Sequence, residues 1–136
     1  MTPELTVLAL AALLQVIQLG LFAVPANLEL GVRKTLSTRD PDRLGKPLIE
    51  QVSRPTGRLF RAYNNHFESL ALFTIAVVVV TLSEQSNTTT VASAWTYLAA
   101  RIVYVPAYYF GLSPWRSLFY FVGLIAILVM LLGVFI

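Results

Sequence analysis

A run of 21 residues, Leu5 to Pro25, carries no charge, and this constrains the chain more than any other feature. About 20 predominantly apolar residues in a helix cross the hydrocarbon of a bilayer. Further apolar stretches follow: Leu70 to Leu82, Val91 to Phe110 interrupted by Arg101, and Trp115 to Ile136 with Arg116 near its start. Inside hydrocarbon every backbone polar group must be satisfied internally, so stretches of this length read as helices. Charged residues make up only 12% of the chain, against roughly 25% in soluble domains. That is too few to coat a water-facing surface. A soluble enzyme, a nucleic-acid binder and a disordered tail are excluded.

The sequence predicts one domain over 1–136, an all-α membrane protein built as a four-helix bundle, with helices over about 4–34, 57–82, 91–110 and 115–136. Pro25 need not end the first helix, because membrane helices tolerate proline. No Lys or Arg precedes the first apolar run, so it lacks the basic start of a cleavable signal peptide. The stretch 35–56 contains three prolines and one glycine and reads as a loop with a short helical piece. Residues 84–90 and 111–114 read as turns. Eight of the ten Lys and Arg fall between Arg33 and Arg61 and give the net charge of +3. Basic loops stay in the cytoplasm. The expected protein is therefore a multi-pass integral membrane protein with both termini on the far side, in the inner membrane of a bacterium or the endoplasmic reticulum of a eukaryote. Trp95 and Trp115 fall near the expected interfaces.

Helical spacing then gathers the polar residues. Arg58, Arg61, Asn65 and Glu68 share one face of the second helix, and Tyr97, Arg101, Tyr104 and Tyr108 share one face of the third. Arg116 and Tyr120, with Ser117 beside them, open the fourth, and Arg33 lies at the end of the first. The topology brings all of them to the cytoplasmic half. Arginines at helix ends can simply snorkel to headgroups. Glu68 and Arg101 cannot, since each lies roughly ten residues, or about 15 Å, from its cytoplasmic end. A charge there costs about 3 kcal/mol on insertion scales. The expectation is a polar pocket between helices, with Glu68 and Arg101 paired directly or through a water. Its arginines and tyrosines suit an anionic ligand with carboxylates or phosphate, and Glu68 and Asn65 suit an ammonium or amide. The apolar mouth suggests a lipophilic second substrate from the bilayer.

With no cysteine, the protein offers no disulfide, thiolate metal site or cysteine nucleophile, and one histidine rules out a histidine-cluster metal site. His66 lies about 100° off the Asn65–Glu68 face and reads as a packing histidine. Gln15 and Gln18 read as amides that bond neighbouring helices.

The segments RLFRAYNNHFESLALF (58–73) and ARIVYVPAYYFGLSPWRSLFYFVG (100–123) resemble the MAPEG family, the membrane-associated proteins of eicosanoid and glutathione metabolism. The likeness rests on Arg61, Asn65 and Glu68 in the second helix, Ala100, Arg101, Tyr104 and Tyr108 in the third, and Arg116, Ser117 and Tyr120 in the fourth. It implies a homotrimer that binds glutathione between neighbouring subunits. The implied glutathione contacts are Arg33, Arg61, Asn65, Glu68, Arg101, Tyr104, Tyr108, Ser117 and Tyr120, with Arg116 stabilising the thiolate. Asn64 stands where the prostaglandin-forming branch has a second arginine, and Tyr104 where it has histidine. Tyr104 is closer to the transferase and leukotriene branch. The implied activity is that of a glutathione transferase or peroxidase acting on lipophilic electrophiles or hydroperoxides. The competing readings are a non-catalytic lipid- or quinone-binding scaffold with the same pocket, and a small proton-coupled drug exporter. The exporter needs an unpaired membrane carboxylate, whereas Glu68 has arginines to match it.

Overall fold

A computed structural model describes residues 1–38, 40 and 45–136. Residues 39 and 41–44, in the expected loop, lie outside the described residues. Among the described residues the regular secondary structure is all helical, without strands. The helices are α1 (Pro3–Leu30), α2 (Val32–Thr35), α3 (Leu48–Gln51), α4 (Arg54–Leu82), α5 (Thr88–Tyr109) and α6 (Trp115–Gly133).

Capping chemistry sets the ends of these helices. The Thr2 hydroxyl accepts from the Leu5 amide, with Pro3 in the first turn of α1. Pro25 lies within α1 without ending it. The helix stops instead at Gly31, whose φ of 86° a side chain would resist. One separate turn, α2, follows, so the helical stretch expected to reach residue 34 is broken. Ser53 caps α4, which begins at Arg54 rather than 57. Asn87 accepts from the amides of Thr89 and Thr90, while the Thr90 hydroxyl accepts from the Asn87 amide at 2.9 Å. This reciprocal capping box starts α5 at Thr88 rather than 91.

Among the described residues three helices, α1, α4 and α6, are long and apolar enough to cross a membrane. The fourth long helix, α5, is more polar because it is the most interior, burying Thr90, Ala94, Tyr97, Leu98, Arg101 and Tyr104. It touches all three other long helices, and α4 does the same. The core joins Val7 and Ala11 of α1, Phe73, Ala76, Val77 and Val80 of α4, Ala94 and Tyr97 of α5, and Ala126, Ile127 and Met130 of α6. The Phe73 and Tyr97 rings stack at 4.0 Å, and the Tyr97 hydroxyl shares a 3.0 Å hydrogen bond with Ser69. Alanines at the crossings let backbones approach, which matters because close packing, not apolar transfer, holds helices together in lipid. Leu13, Val16, Ile17, Ile75, Ile125 and Leu128 point outward, as lipid-facing side chains do.

The two carboxylates of α1 cap other helices, one at each end of the bundle. Glu4 is fully buried and accepts from the Ser86 and Thr90 hydroxyls, at 2.8 and 2.5 Å, at the start of α5. Glu29 accepts from the Ser53 amide at 2.7 Å and from the Thr56 hydroxyl at the start of α4. Both place negative charge at a helix N-terminus. A second, smaller core packs Leu48 of α3 on Phe22 and Ala26. The amides of Gln15 and Gln18 do not bond neighbouring helices as expected. Their polar atoms are buried and find no partner among the described residues, although Gln18 continues the buried stripe of Ala11, Phe22 and Ala26.

Candidate functional site

The site forms where the C-terminal end of α5 and the first turns of α6 meet the first half of α4. A cavity of about 340 Å³ is lined by Asn65 of α4, Tyr104 and Tyr108 of α5, and Arg116, Ser117, Tyr120 and Phe121 of α6. A second, of about 160 Å³, continues from it along α4 and is lined by Asn65, Glu68, Ser69, Leu72, Tyr120 and Leu124. Asn65 and Tyr120 belong to both. Small-molecule sites fall at roughly 300–1,000 Å³.

Tyr108 organises the cationic side. The Arg116 guanidinium carbon lies over its ring at 4.8 Å from the centroid, and that of Arg61 at 5.9 Å. The Arg61 Nε–H donates to the Tyr108 hydroxyl at 3.2 Å. Two cations share one aromatic face system, a contact worth about 0.5–1 kcal/mol apiece at exposed sites. Tyr104 meets Tyr108 edge-on at 5.6 Å. Among the described residues no carboxylate pairs with Arg61 or Arg116, so the Arg116 donors and the terminal N–H groups of Arg61 remain available to an anion. On the other side Glu68 is exposed to the smaller cavity, and the Asn65 Oδ1 is buried and accepts nothing from the described residues. A buried acceptor of that kind calls for a donor. The combined set is chemically suited to carboxylates at one end and an N–H donor at the other.

Eight of the ten expected site residues gather here: Arg61, Asn65, Glu68, Tyr104, Tyr108, Arg116, Ser117 and Tyr120. Arg33 does not. It sits exposed on α2 beyond the Gly31 break and lines neither cavity. Arg101 is buried inside the protomer, 1% exposed, and also lines neither. It makes no direct ion pair with Glu68, contrary to expectation. Arg101 donates from Nε to His66 Nδ1 at 3.3 Å and lies over the Tyr104 ring at 4.3 Å. His66 in turn reaches the Ala11 carbonyl from Nε2 at 3.0 Å. A carbonyl only accepts, so Nε2 carries the proton and Nδ1 is the acceptor for Arg101. Histidine takes the place expected of the carboxylate because it lies on the interior face of α4 and Glu68 does not.

Arg58, expected on the same polar face, lines neither cavity; it caps α5 by donating to the Tyr109 carbonyl at 3.2 Å and closes against Gly111. One contributor escapes the sequence reading. Phe121 lines the main cavity, and nothing in an apolar helix marks it out.

A family model described as MAPEG family matches residues 6–136, nearly the whole chain. No curated protein matches it.

Proposed function

The chain belongs to the MAPEG family, and from that we propose a glutathione-dependent membrane transferase or peroxidase acting on lipophilic electrophiles or hydroperoxides. Family membership makes the protein a membrane protein of the glutathione and eicosanoid metabolism group. The observation that carries the narrower reading is the pair of guanidiniums held on Tyr108, Arg116 in the main cavity and Arg61 beside it, with Asn65 on the same cavity and Glu68 in the smaller one that adjoins it. Glutathione has two carboxylates, an ammonium and amide N–H groups, and this donor and acceptor set fits them. Arg61 and the hydroxyls of Ser117 and Tyr120 would hold carboxylates, and Glu68 and Asn65 the ammonium. Glutathione supplies a thiol, the nucleophile this cysteine-free chain lacks.

Arg116 stands in the first turn of α6, where the positive end of the helix dipole adds to its own charge. A fixed cation with no carboxylate partner stabilises an anion placed against it. The chain's remaining residues position and enclose. Tyr104 and Tyr108 form the floor, and Phe121 and Leu124 supply an apolar rim toward the bilayer for the second substrate.

Four membrane spans and a homotrimer belong to this proposal. With 22 residues at 1.5 Å each, α5 is about 33 Å long and matches a hydrocarbon core of about 30 Å. Its largest polar side chains, Tyr97, Arg101 and Tyr104, are buried in the bundle. The basic loop and the cavity lie at one end, which the charge asymmetry puts in the cytoplasm.

Arg116→Ala tests the reading. Lowering a thiol pKa from about 8.5 to near neutrality takes about 2 kcal/mol of thiolate stabilisation. Ultraviolet difference absorbance of the glutathione complex should show a thiolate band near neutral pH in wild type and lose it in the variant. Turnover of a model aryl halide should fall by about 30-fold. Glutathione affinity should change far less. An absent band in wild type, or an unchanged one in Arg116→Ala, refutes the mechanism.

A further inference from the structure

A line of contacts runs from the backbone of α1, through the interior of the bundle, to the cavity. The Ala11 carbonyl accepts from His66 Nε2 at 3.0 Å, and His66 Nδ1 accepts from Arg101 Nε at 3.3 Å. The Arg101 guanidinium lies 4.3 Å over Tyr104, Tyr104 meets Tyr108 edge-on at 5.6 Å and 64°, and Tyr108 carries Arg116 at 4.8 Å. Four helices contribute, and each link is direct. We propose that His66 is a positioning residue for the site, setting the place of Arg116 through Arg101 and the Tyr104–Tyr108 pair without touching ligand.

His66 and Arg101 are 0% and 1% exposed, so neither can turn to water. The Arg101 Nη2 already finds no partner among the described residues. His66 is therefore what fixes the guanidinium by a directed bond. Without that acceptor a buried charged N–H is left unpaired, and such a donor moves to find a new one. Any movement of the guanidinium takes the cation off Tyr104. Tyr104 forms cavity wall and supports Tyr108. Arg116 has no carboxylate partner among the described residues, so the Tyr108 face is its support. A shift of 1 Å at a reacting group can cost on the order of a hundredfold in rate. Histidine suits the post because it joins a donor and an acceptor across a rigid ring and ties α1 to α5.

The effect of His66 on turnover rests on the glutathione reading, whereas its effect on the position of Tyr108 does not. The test uses the full chain, labelled with 3-fluorotyrosine, in nanodiscs, with the Tyr108 resonance assigned by its loss in Tyr108→Phe. His66→Phe keeps a ring of similar size and removes both hydrogen bonds. His66→Gln retains one donor and one acceptor at the end of its side chain. The Tyr108 fluorine resonance of unliganded protein should move or broaden in His66→Phe and return in His66→Gln. Glutathione kcat should fall roughly tenfold to a hundredfold in His66→Phe, with KM changed by less than about threefold, and should recover in His66→Gln. A purely structural histidine would lower thermal stability and leave the Tyr108 resonance and kcat of folded protein unchanged, which overturns the proposal. If wild type shows no glutathione turnover, the function proposed above fails and the Tyr108 resonance alone decides the relay. Should His66→Phe not fold, His66→Met, whose flexible chain fills irregular space, takes its place: a displaced Tyr108 resonance supports the relay and an unchanged one overturns it.

Discussion

Glu4→Gln is the sharpest test of what holds the bundle together. The carboxylate is 0% exposed and receives two hydroxyl donors, Ser86 at 2.8 and 3.0 Å to its two oxygens and Thr90 at 2.5 Å. Hydrogen bonds to a charged group contribute about 1.5–3 kcal/mol each. Glutamine offers one acceptor oxygen, which can keep both hydroxyls as Oε1 does, and its NH2 faces the Ser86 oxygen, which can accept. Both bonds then fall from charge-assisted to neutral strength, roughly half each, a loss of about 1.5–3 kcal/mol in sum. Against this, the variant no longer buries a charge. The net cost should be about 1 kcal/mol, or on the order of 3–5 °C in melting temperature for a chain of this length. Thr90 also closes the Asn87 capping box, so the start of α5 should fray first. Thermal unfolding in mild detergent measures the first effect, and hydrogen exchange at residues 88–91 the second. Glu68→Gln is the control: Glu68 is exposed and unpaired among the described residues, and its loss should leave the melting temperature near wild type. If Glu68→Gln proved the more damaging of the two, the reading of both carboxylates would be wrong.

Gly111→Ala should destabilise by about 1–2 kcal/mol, since φ is +66° there and left-handed backbone costs a side chain that much. Its new Cβ would also lie 3.1 Å from the Arg58 guanidinium and push it from the Tyr109 carbonyl, and unchanged thermal stability would contradict this. Tyr108→Phe keeps the ring between the two arginines and removes only the oxygen that accepts from Arg61. Loss of one such bond, about 0.5–1.5 kcal/mol, should weaken glutathione binding two- to tenfold while sparing the thiolate band. Equal calorimetric affinity would remove Arg61 from the site.

The long helices are legible in the sequence because uncharged runs of membrane length have few alternatives. Their ends are less so. Capping by Ser53 and Asn87 starts α4 and α5 three residues early, and the signal lies in single polar residues beside longer polar stretches. Gly31 is a weak mark against a continuous helix, yet it ends α1 before Arg33. Glu4 gives no sign of its role, since its partners Ser86 and Thr90 lie more than 80 residues away in sequence. The polar lining is legible from periodicity: Arg116, Ser117 and Tyr120 share the main cavity with Tyr104 and Tyr108 as helical spacing requires.

The expected direct Glu68–Arg101 pairing fails for a reason written in α4 itself. Depth matches the two charges, but the facing direction decides contact. Ala62, His66, Ser69, Phe73, Ala76 and Val80 recur at 4, 3, 4, 3, 4, and this stripe turns inward: all but Ser69 are fully buried or nearly so. Arg61, Asn65, Glu68 and Leu72 form the neighbouring stripe at 4, 3, 4 and line the cavities or border them. Polarity alone points to this second stripe as the interior one, whereas the interior stripe contains a single polar ring, His66, at the point where Arg101 needs an acceptor. The second stripe therefore lies on the flank of the protomer, with Arg61 and Glu68 exposed there. Charges on a lipid-facing flank at membrane depth cost about 3 kcal/mol each on insertion scales. A flank of that kind is stable when a ligand and another protein surface cover it. This favours the proposed assembly, in which neighbouring copies close over the cavity, more strongly than the resemblance of motifs does.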